Sequence, residues 1–275
     1  MLSTSRMRRD FAARYGPWAL VAGGSAGMGA AYSRQLAAHG LNVVIVADAA
    51  HPPDGLAREV AAAHGVQTRP LVVDLAAPDM TTQIVAVTDD LDVGLLVYNA
   101  AHAVVGPFLE VALADKLRML DVNCRGPLLL ADAFAPRLVA RGRGGIILVS
   151  SLSGFQGQAM VGTYAATKAF DLVLAEGLWD ELGAHGVDVL AFCPGATRTP
   201  AFVATNPRSR GLVSAPVMEP EETVAEALAA LGDGPTAIAG RTNRLGALLL
   251  HRLLPRRLLV RFMSRTARAM YERRA

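Results

Sequence analysis

Short runs of apolar, β-branched residues recur along the chain and alternate with stretches of helical length. The runs fall at Trp18–Val21, Asn42–Val46, Thr68–Val73, Val93–Val97, Gly145–Val149 and Val187–Phe192. They show little apolar–polar alternation, as expected of strands covered on both faces. Strands separated by helices in this way imply βαβ units, right-handed crossovers and one parallel sheet. Thr236–Ala239 adds a short further strand, and Pro220-Glu221-Glu222-Thr223 reads as a helix start whose acids suit the dipole. The expected fold is therefore α/β: a single doubly wound domain with a parallel sheet of about seven strands, helices on both faces and a C-terminal helical extension.

The periodic pattern breaks between Pro200 and Pro220, where Pro, Ser, Asn and Gly punctuate the chain. Phe202, Leu212, Val213 and Met218 are scattered through this stretch. It follows the sixth strand at its carboxyl end, where ligands bind in such sheets, so it reads as a lid over a substrate, with a plain surface loop as the alternative. The main domain is placed at 1–240, lid included. A tail over 241–275 has Pro255 between two helical stretches. Arg257, Arg261, Arg265 and Arg268 form a stripe in the second, with Leu258, Leu259, Phe262, Met263 and Met270 mainly opposite. This basic amphipathic tail either packs on its own domain or a second subunit, which is the favoured reading, or rests on an anionic bilayer as a peripheral membrane contact.

Composition narrows the classes further. Of the 275 residues, 52% are hydrophobic and 19% charged, which excludes a disordered polymer or a disulfide-held miniprotein. The net charge of +3 conceals an asymmetry, because nine arginines and one acid lie from Arg244 onward. A basic tail on a mildly acidic globule does not make a nucleic-acid binder. Cys124 and Cys193 sit far apart in apolar runs, which fits reduced thiols and a cytoplasmic location. No histidine or cysteine shows metal spacing, so no metal is expected. The basic start of the chain has no apolar core, so no signal peptide is expected, and no apolar run is long enough for a spanning helix.

After the first strand comes Ala22-Gly23-Gly24-Ser25-Ala26-Gly27-Met28-Gly29, then helix-forming residues. Glycines there allow a tight turn and a close approach to a pyrophosphate, whose charge meets a helix N-terminus. Packing glycines in a βα turn would give the same spacing, but the flanking strand and helix and Asp48, 19 residues beyond Gly29, favour a dinucleotide. Asp48 can accept hydrogen bonds from an adenosine ribose and would repel a 2′-phosphate, which favours NAD, with NADP as the alternative.

The segment Ser150-Ser151 to Tyr164-Ala-Ala-Thr-Lys168 carries the chemistry. Tyr164 and Lys168 share one helical face, and an ammonium beside a phenol favours the phenolate, suiting it to proton transfer. Of 27 basic residues only Lys116 and Lys168 are lysines, so a lysine at this spacing is a selected feature. A compact ammonium with three donors reaches both a ribose and a tyrosine where a planar guanidinium does not.

These motifs resemble the short-chain dehydrogenase/reductase family, over about Tyr15 to Tyr271. Gly23, Gly27 and Gly29 match its glycine motif, with Ser25 and Met28 inside it, and Ala22 replaces the usual threonine. Asp74-Leu75 matches its adenine-contacting acid, and Tyr98-Asn99-Ala100-Ala101 is a partial match to its Asn-Asn-Ala-Gly motif. Asp48 lies one place beyond the usual NAD-selecting position, Ala47. Pro194-Gly195-Ala196-Thr197-Arg198-Thr199 matches its Pro-Gly-x-x-x-Thr motif, which implies nicotinamide contacts from Pro194, Gly195, Thr197 and Thr199. The resemblance implies a Rossmann-type catalytic domain in which Tyr164 is the general acid/base and Lys168 tunes it and binds the ribose. It further implies that Ser151 holds the substrate oxygen and Asn123 a relay water. The chain ends resemble the branch of 17β-hydroxysteroid dehydrogenases and long-chain 3-oxoacyl-CoA reductases. That implies a secondary alcohol and ketone on a bulky lipophilic substrate, a hydroxysteroid first and a 3-oxoacyl thioester as the alternative, in a homodimer or homotetramer. A non-catalytic dinucleotide-binding protein is a distant alternative.

Overall fold

The computed structural model describes residues 4–207 and 216–271, with side chains from residue 10 onward. Seven parallel strands form one sheet: β1 (Trp18–Ala22), β2 (Asn42–Ala47), β3 (Thr68–Val72), β4 (Val93–Tyr98), β5 (Gly144–Val149), β6 (Val187–Cys193) and β7 (Thr236–Ile238). Their order is β3-β2-β1-β4-β5-β6-β7, so the chain winds outward twice from the β1/β4 junction. Crevices for ligands open at the carboxyl ends of strands at such a reversal.

Both faces of the sheet are covered, which explains the missing alternation. Ala19, Val21, Val43, Ile45, Leu95 and Val97 enter one core; Leu20, Ala22, Val44, Val46, Leu96 and Tyr98 enter the other. Successive side chains of one strand point to opposite faces, so a doubly covered strand must be apolar throughout. The edge strand β3 departs from this, with half-buried and exposed positions, and it accommodates Pro70, which would remove a donor from a central strand.

The crossover helices are α2 (Gly27–Ala38), α3 (Asp54–His64), α4 (Met80–Thr88), α5 (Leu113–Leu120), α6 (Gly126–Arg141) and α7 (Gly162–Gly183). Between α5 and α6 the chain makes a π-helical turn over Asp121–Arg125. After β6 come a one-turn helix at Pro200–Ala204 and a longer helix at Pro220–Ala230. Of the expected lid at 200–220, residues 208–215, with Leu212 and Val213, lie outside the described residues. The tail forms two helices, Arg241–Leu253 and Arg256–Tyr271, broken at Pro255. One helix has no counterpart in the sequence reading: α1 (Thr4–Tyr15), which precedes β1 and buries Tyr15 beside Phe11.

Candidate active site

β1 ends at Ala22 and turns through Gly23, whose φ of 73° belongs to the left-handed region that glycine tolerates. The N–H groups of Gly23 and Gly24 donate to Val46 O at 2.8 and 2.9 Å, which fixes the turn over β2. At its glycines the turn leaves no space for side chains. A β-carbon on Gly29 would lie 1.7 Å from Gly23 O, one on Gly23 2.7 Å from Ala100 Cα, and one on Gly27 2.9 Å from Thr199 Cγ2. The segments after β1, β4 and β6 therefore converge, bringing Gly23, Gly27, Gly29, Asn99, Ala100 and Thr199 together. Ser25 and Met28 are half-buried in the same turn.

Asn99 Nδ2 donates to Gly23 O at 2.9 Å, while its buried Oδ1 has no partner. α2 starts at Gly27 without a side-chain cap, which leaves its first N–H groups directed into the crevice. A backbone cradle that any β-carbon would fill, an uncapped helix N-terminus and an orphaned amide oxygen fit the pyrophosphate and ribose of a nicotinamide dinucleotide.

The adenosine end is more polar. Asp48 lies just past β2, exposed, its Oδ1 accepting from His51 N and facing His51 Nδ1 at 3.2 Å. Asp74 follows β3, accepts from Ala76 N, and is gripped by the Arg118 guanidinium at 3.0 and 3.1 Å. That fork holds the Asp74 carboxyl below its ordinary range. Leu75 is buried beside it. The sequence places no arginine or lysine near the Asp48 end, yet α5 brings Arg118 within electrostatic reach of both Asp48 and Asp74. Chain separation hides that proximity.

On the other side of the crevice, β5 ends at Val149 and passes into Ser150-Ser151. The Ser150 hydroxyl is buried and donates to Lys168 O at 2.6 Å, a structural tie. Ser151 is half-buried and its Oγ accepts from Ser153 N. α7 carries Tyr164, half-buried, and Lys168, whose Nζ lies 6.0 Å from the centroid of the Tyr164 ring. Nζ donates to Val149 O at 2.8 Å and to Asp171 Oδ2 at 2.9 Å, which occupies two of its three protons.

Asn123 is fully buried in the π-helical turn. Its Oδ1 accepts from His102 N at 2.7 Å, and its Nδ2 donates to His102 O and Thr167 Oγ1. The widened turn lets one side chain join the loop after β4 to α7, one residue before Lys168. Thr167, His102 and Asp171 are participants the sequence reading missed. The discoverable signal was Asp171, an acid three positions after Lys168 on a helical face otherwise made of Ala165, Leu172 and Ala175.

The segment after β6 closes the site. Pro194 O accepts from Leu152 N at 3.0 Å, joining it to the Ser151 turn. A β-carbon on Gly195 would meet Asn243 Nδ2 and Leu152. Thr197 is buried and Thr199 Oγ1 accepts from Phe202 N. Burial raises the Cys193 thiol to about 12 and the Cys124 thiol to about 11, so neither is nucleophilic near neutrality.

A cavity of about 270 Å³ is lined by Val104, Phe108, Met119, Met160 and, at the start of α7, Thr163, with Lys116 and Arg268 among its walls. The second tail helix reaches this wall: Ser264 Oγ accepts from Ala159 N at 3.0 Å, and Arg256 donates to Phe155 O. Its Leu259 is buried, while Arg257, Arg261 and Arg265 are exposed.

Residues 17–210 match the family model for short chain dehydrogenase. The chain belongs to the short-chain dehydrogenase family. It is an NAD(P)-dependent oxidoreductase acting on CH–OH groups. It is 31% identical over 235 residues, covering 86% of this chain and 90% of the relative, to a 7beta-hydroxysteroid dehydrogenase of Clostridium sardiniense. It is 34% identical over 178 residues to a very-long-chain 3-oxoacyl-CoA reductase of Aspergillus clavatus, covering 63% of this chain and 52% of that reductase. A solved short-chain dehydrogenase from Sphingobium yanoikuyae in complex with NADPH superposes with a TM-score of 0.75 at 32% identity, covering 86% of this chain and 94% of that one.

Proposed function

We propose that this dehydrogenase interconverts a secondary alcohol and a ketone on a bulky lipophilic substrate, a hydroxysteroid, with Tyr164 as general acid/base. The observation that carries the reading is the buried Lys168 ammonium, its Nζ 6.0 Å from the centroid of the Tyr164 ring, on the helix whose first residues, Gly162 and Thr163, line the cavity. In ketone reduction Tyr164 Oη gives its proton to the carbonyl oxygen; in oxidation it takes the hydroxyl proton. The Ser151 hydroxyl orients that oxygen. Lys168, with one proton uncommitted, would hold the ribose and sits beside the phenol ring. Asn123 braces α7 against the β4 loop, and the family resemblance gives it the part of holding a relay water. When bound, the nicotinamide would supply or accept the hydride. Gly23, Gly27 and Gly29 would admit the pyrophosphate, Asn99 and Ala100 the ribose, Asp74 and Leu75 the adenine, and Pro194, Gly195, Thr197 and Thr199 the nicotinamide.

Tyr164→Phe tests this. It should retain NAD(P)H binding and lose about 10²–10⁴-fold in turnover of a hydroxysteroid panel; substantial residual turnover removes the mechanism. The reductase relative supports a 3-oxoacyl thioester as a second substrate class, and acyl-CoA substrates assayed beside the steroids separate the two. For the cofactor, Asp48 supports NAD, whereas Arg118 and the NADPH-bound relative support NADP, and parallel titrations with both decide.

Leu113, Leu117, Leu120, Leu128 and Val173 expose an apolar face across α5, α6 and α7, which supports a homodimer or homotetramer. No helix among the described residues is long and apolar enough to cross a membrane. The tail supports peripheral contact through its first helix.

A further inference from the structure

Asp171 is a carboxylate that the reaction does not need. It is 1% exposed, in the core-facing row of α7, where Leu172 and Ala175 pack. Its Oδ2 lies 2.9 Å from Lys168 Nζ, and its Oδ1 is buried with no partner. A buried ion pair is weak evidence for stability, and one with an orphaned oxygen is costlier than a packed apolar side chain. Stability therefore gives no reason for an acid at this position.

Lys168 supplies one. It is 2% exposed, and a fully buried amine without a counter-ion sheds its proton to escape the cost of an unsolvated charge. We infer that Asp171 is a positioning residue that keeps the buried Lys168 ammonium charged and anchored at the end of β5, so that Tyr164 works beside a permanent cation. The Val149 carbonyl and the Asp171 carboxylate fix two of the three Nζ protons and aim the third out of the core.

The surroundings leave this task to Asp171. The titratable groups around the pair are Tyr98 from β4, Cys124 from the π-helical turn, Cys193 from β6, and Tyr164 on α7 itself. Tyr271, from the second tail helix, faces Tyr164. Burial pushes Tyr98, Cys124, Cys193 and Tyr271 up, so each stays neutral at physiological pH. Burial also works against the Lys168 charge, but Asp171 and Tyr164 outweigh it and the amine is raised. Burial raises Asp171 too, and the ammonium opposes that rise.

The inference rests on the proposed Tyr164–Lys168 chemistry, yet its test does not. Lys116 and Lys168 are the only lysines, so a chain labelled with ¹³C-lysine gives two Cε signals, assigned by Lys116→Arg. In the wild type, Lys168 should remain charged at least as far up the pH scale as Lys116. In Asp171→Asn, which keeps the shape and removes the charge, its titration should fall by about two pH units or more, and Asp171→Glu should restore most of the difference. Turnover of Asp171→Asn should then approach the wild-type value near pH 6 and drop by about tenfold or more as Lys168 loses its proton, with little change in substrate KM. A Lys168 signal in Asp171→Asn that titrates with the wild type overturns the inference. If Asp171→Asn does not fold, the wild-type spectrum still decides: a Lys168 signal losing its proton below Lys116 overturns it. An active Tyr164→Phe would instead remove the underlying mechanism and leave the lysine titration standing.

Discussion

Gly29 marks how finely the dinucleotide turn is fitted at the level of single atoms. A methyl group there would sit 1.7 Å from Gly23 O, a backbone atom that Asn99 also holds. The turn must open to relieve such a contact, at a strain of about 1–3 kcal/mol. Gly29→Ala is expected to weaken NAD(P)H binding by about tenfold or more in a fluorescence titration and to lower Tm. Gly177, on α7 with nothing within 4 Å of its would-be β-carbon, is the control. Gly177→Ala should leave cofactor binding unchanged and stabilise by about 0.5–1 kcal/mol, through the lower chain entropy of alanine in a helix. Wild-type cofactor affinity in Gly29→Ala would mean that the turn does not cradle the pyrophosphate.

At the scale of elements, the strands were readable to within a residue or two because double coverage writes the central ones as apolar runs, while the edge strands β3 and β7 were read from short β-branched stretches. The helix at 4–15 was not, since its sequence has few apolar residues and its purpose, packing Phe11 and Tyr15 beneath the sheet, is tertiary. The π-helical turn around Asn123 was equally hidden: nothing in Asp121-Val122-Asn123 distinguishes a widened turn from an α-helix, and Tyr98, which donates to Val122 O there, comes from a distant strand. Lys168 and Tyr164 were visible through spacing; Arg118 beside Asp74 was not, because 44 residues separate them. The second tail helix was legible as amphipathic, but its bracing of the 152–163 segment was not. That bracing predicts a split effect. Ser264→Ala combined with Arg256→Ala removes two hydrogen bonds worth about 1 kcal/mol each from the segment between Phe155 and Ala159, which joins the cavity wall at Ala159. Substrate KM should rise about five- to thirtyfold while NAD(P)H affinity stays level; equal losses of both would show that the tail supports the fold rather than the substrate wall.

The whole molecule carries its phenols and thiols on the inside, and this sets its alkaline limit. Burial raises Tyr15, Tyr32 and Tyr98 above the ordinary tyrosine value, and Cys124 and Cys193 to about 11 and 12. A group with a raised folded value contributes stability below its unfolded pKa, about 8.5 for a thiol and 10 for a phenol, and loses it as pH climbs toward the folded value. Tm by calorimetry should therefore fall progressively above about pH 9, and a flat Tm to pH 11 would contradict the burial of these groups.

Charge is divided as unevenly as burial, and the division bears on where the molecule works. No acid occurs from residue 241 to 271. The apolar face of the second tail helix is turned largely inward, so the exposed apolar surface belongs mainly to the first. Leu245, Leu248, Leu249 and Leu253 are 58%, 54%, 46% and 71% exposed, and Leu258 extends the row. They recur at three, one and four, one stripe of a helix, with Arg241, Arg252 and Arg257 exposed around it, while Arg244 is paired with Glu226. Two copies of this chain pairing through the stripe would bring arginines against arginines, whereas an anionic bilayer offers acyl chains to the leucines and headgroups to the guanidinium groups. Each cation near such a surface is worth about 1 kcal/mol, and each leucine fully transferred about 1.5–3. The intact protein should float with phosphatidylserine-containing vesicles at low salt, bind neutral vesicles far less, and be released in part by salt. Leu248→Ser with Leu249→Ser should abolish flotation while leaving turnover of a water-soluble ketone unchanged. Failure of the wild type to float on anionic vesicles at low salt would leave the stripe without a lipid role.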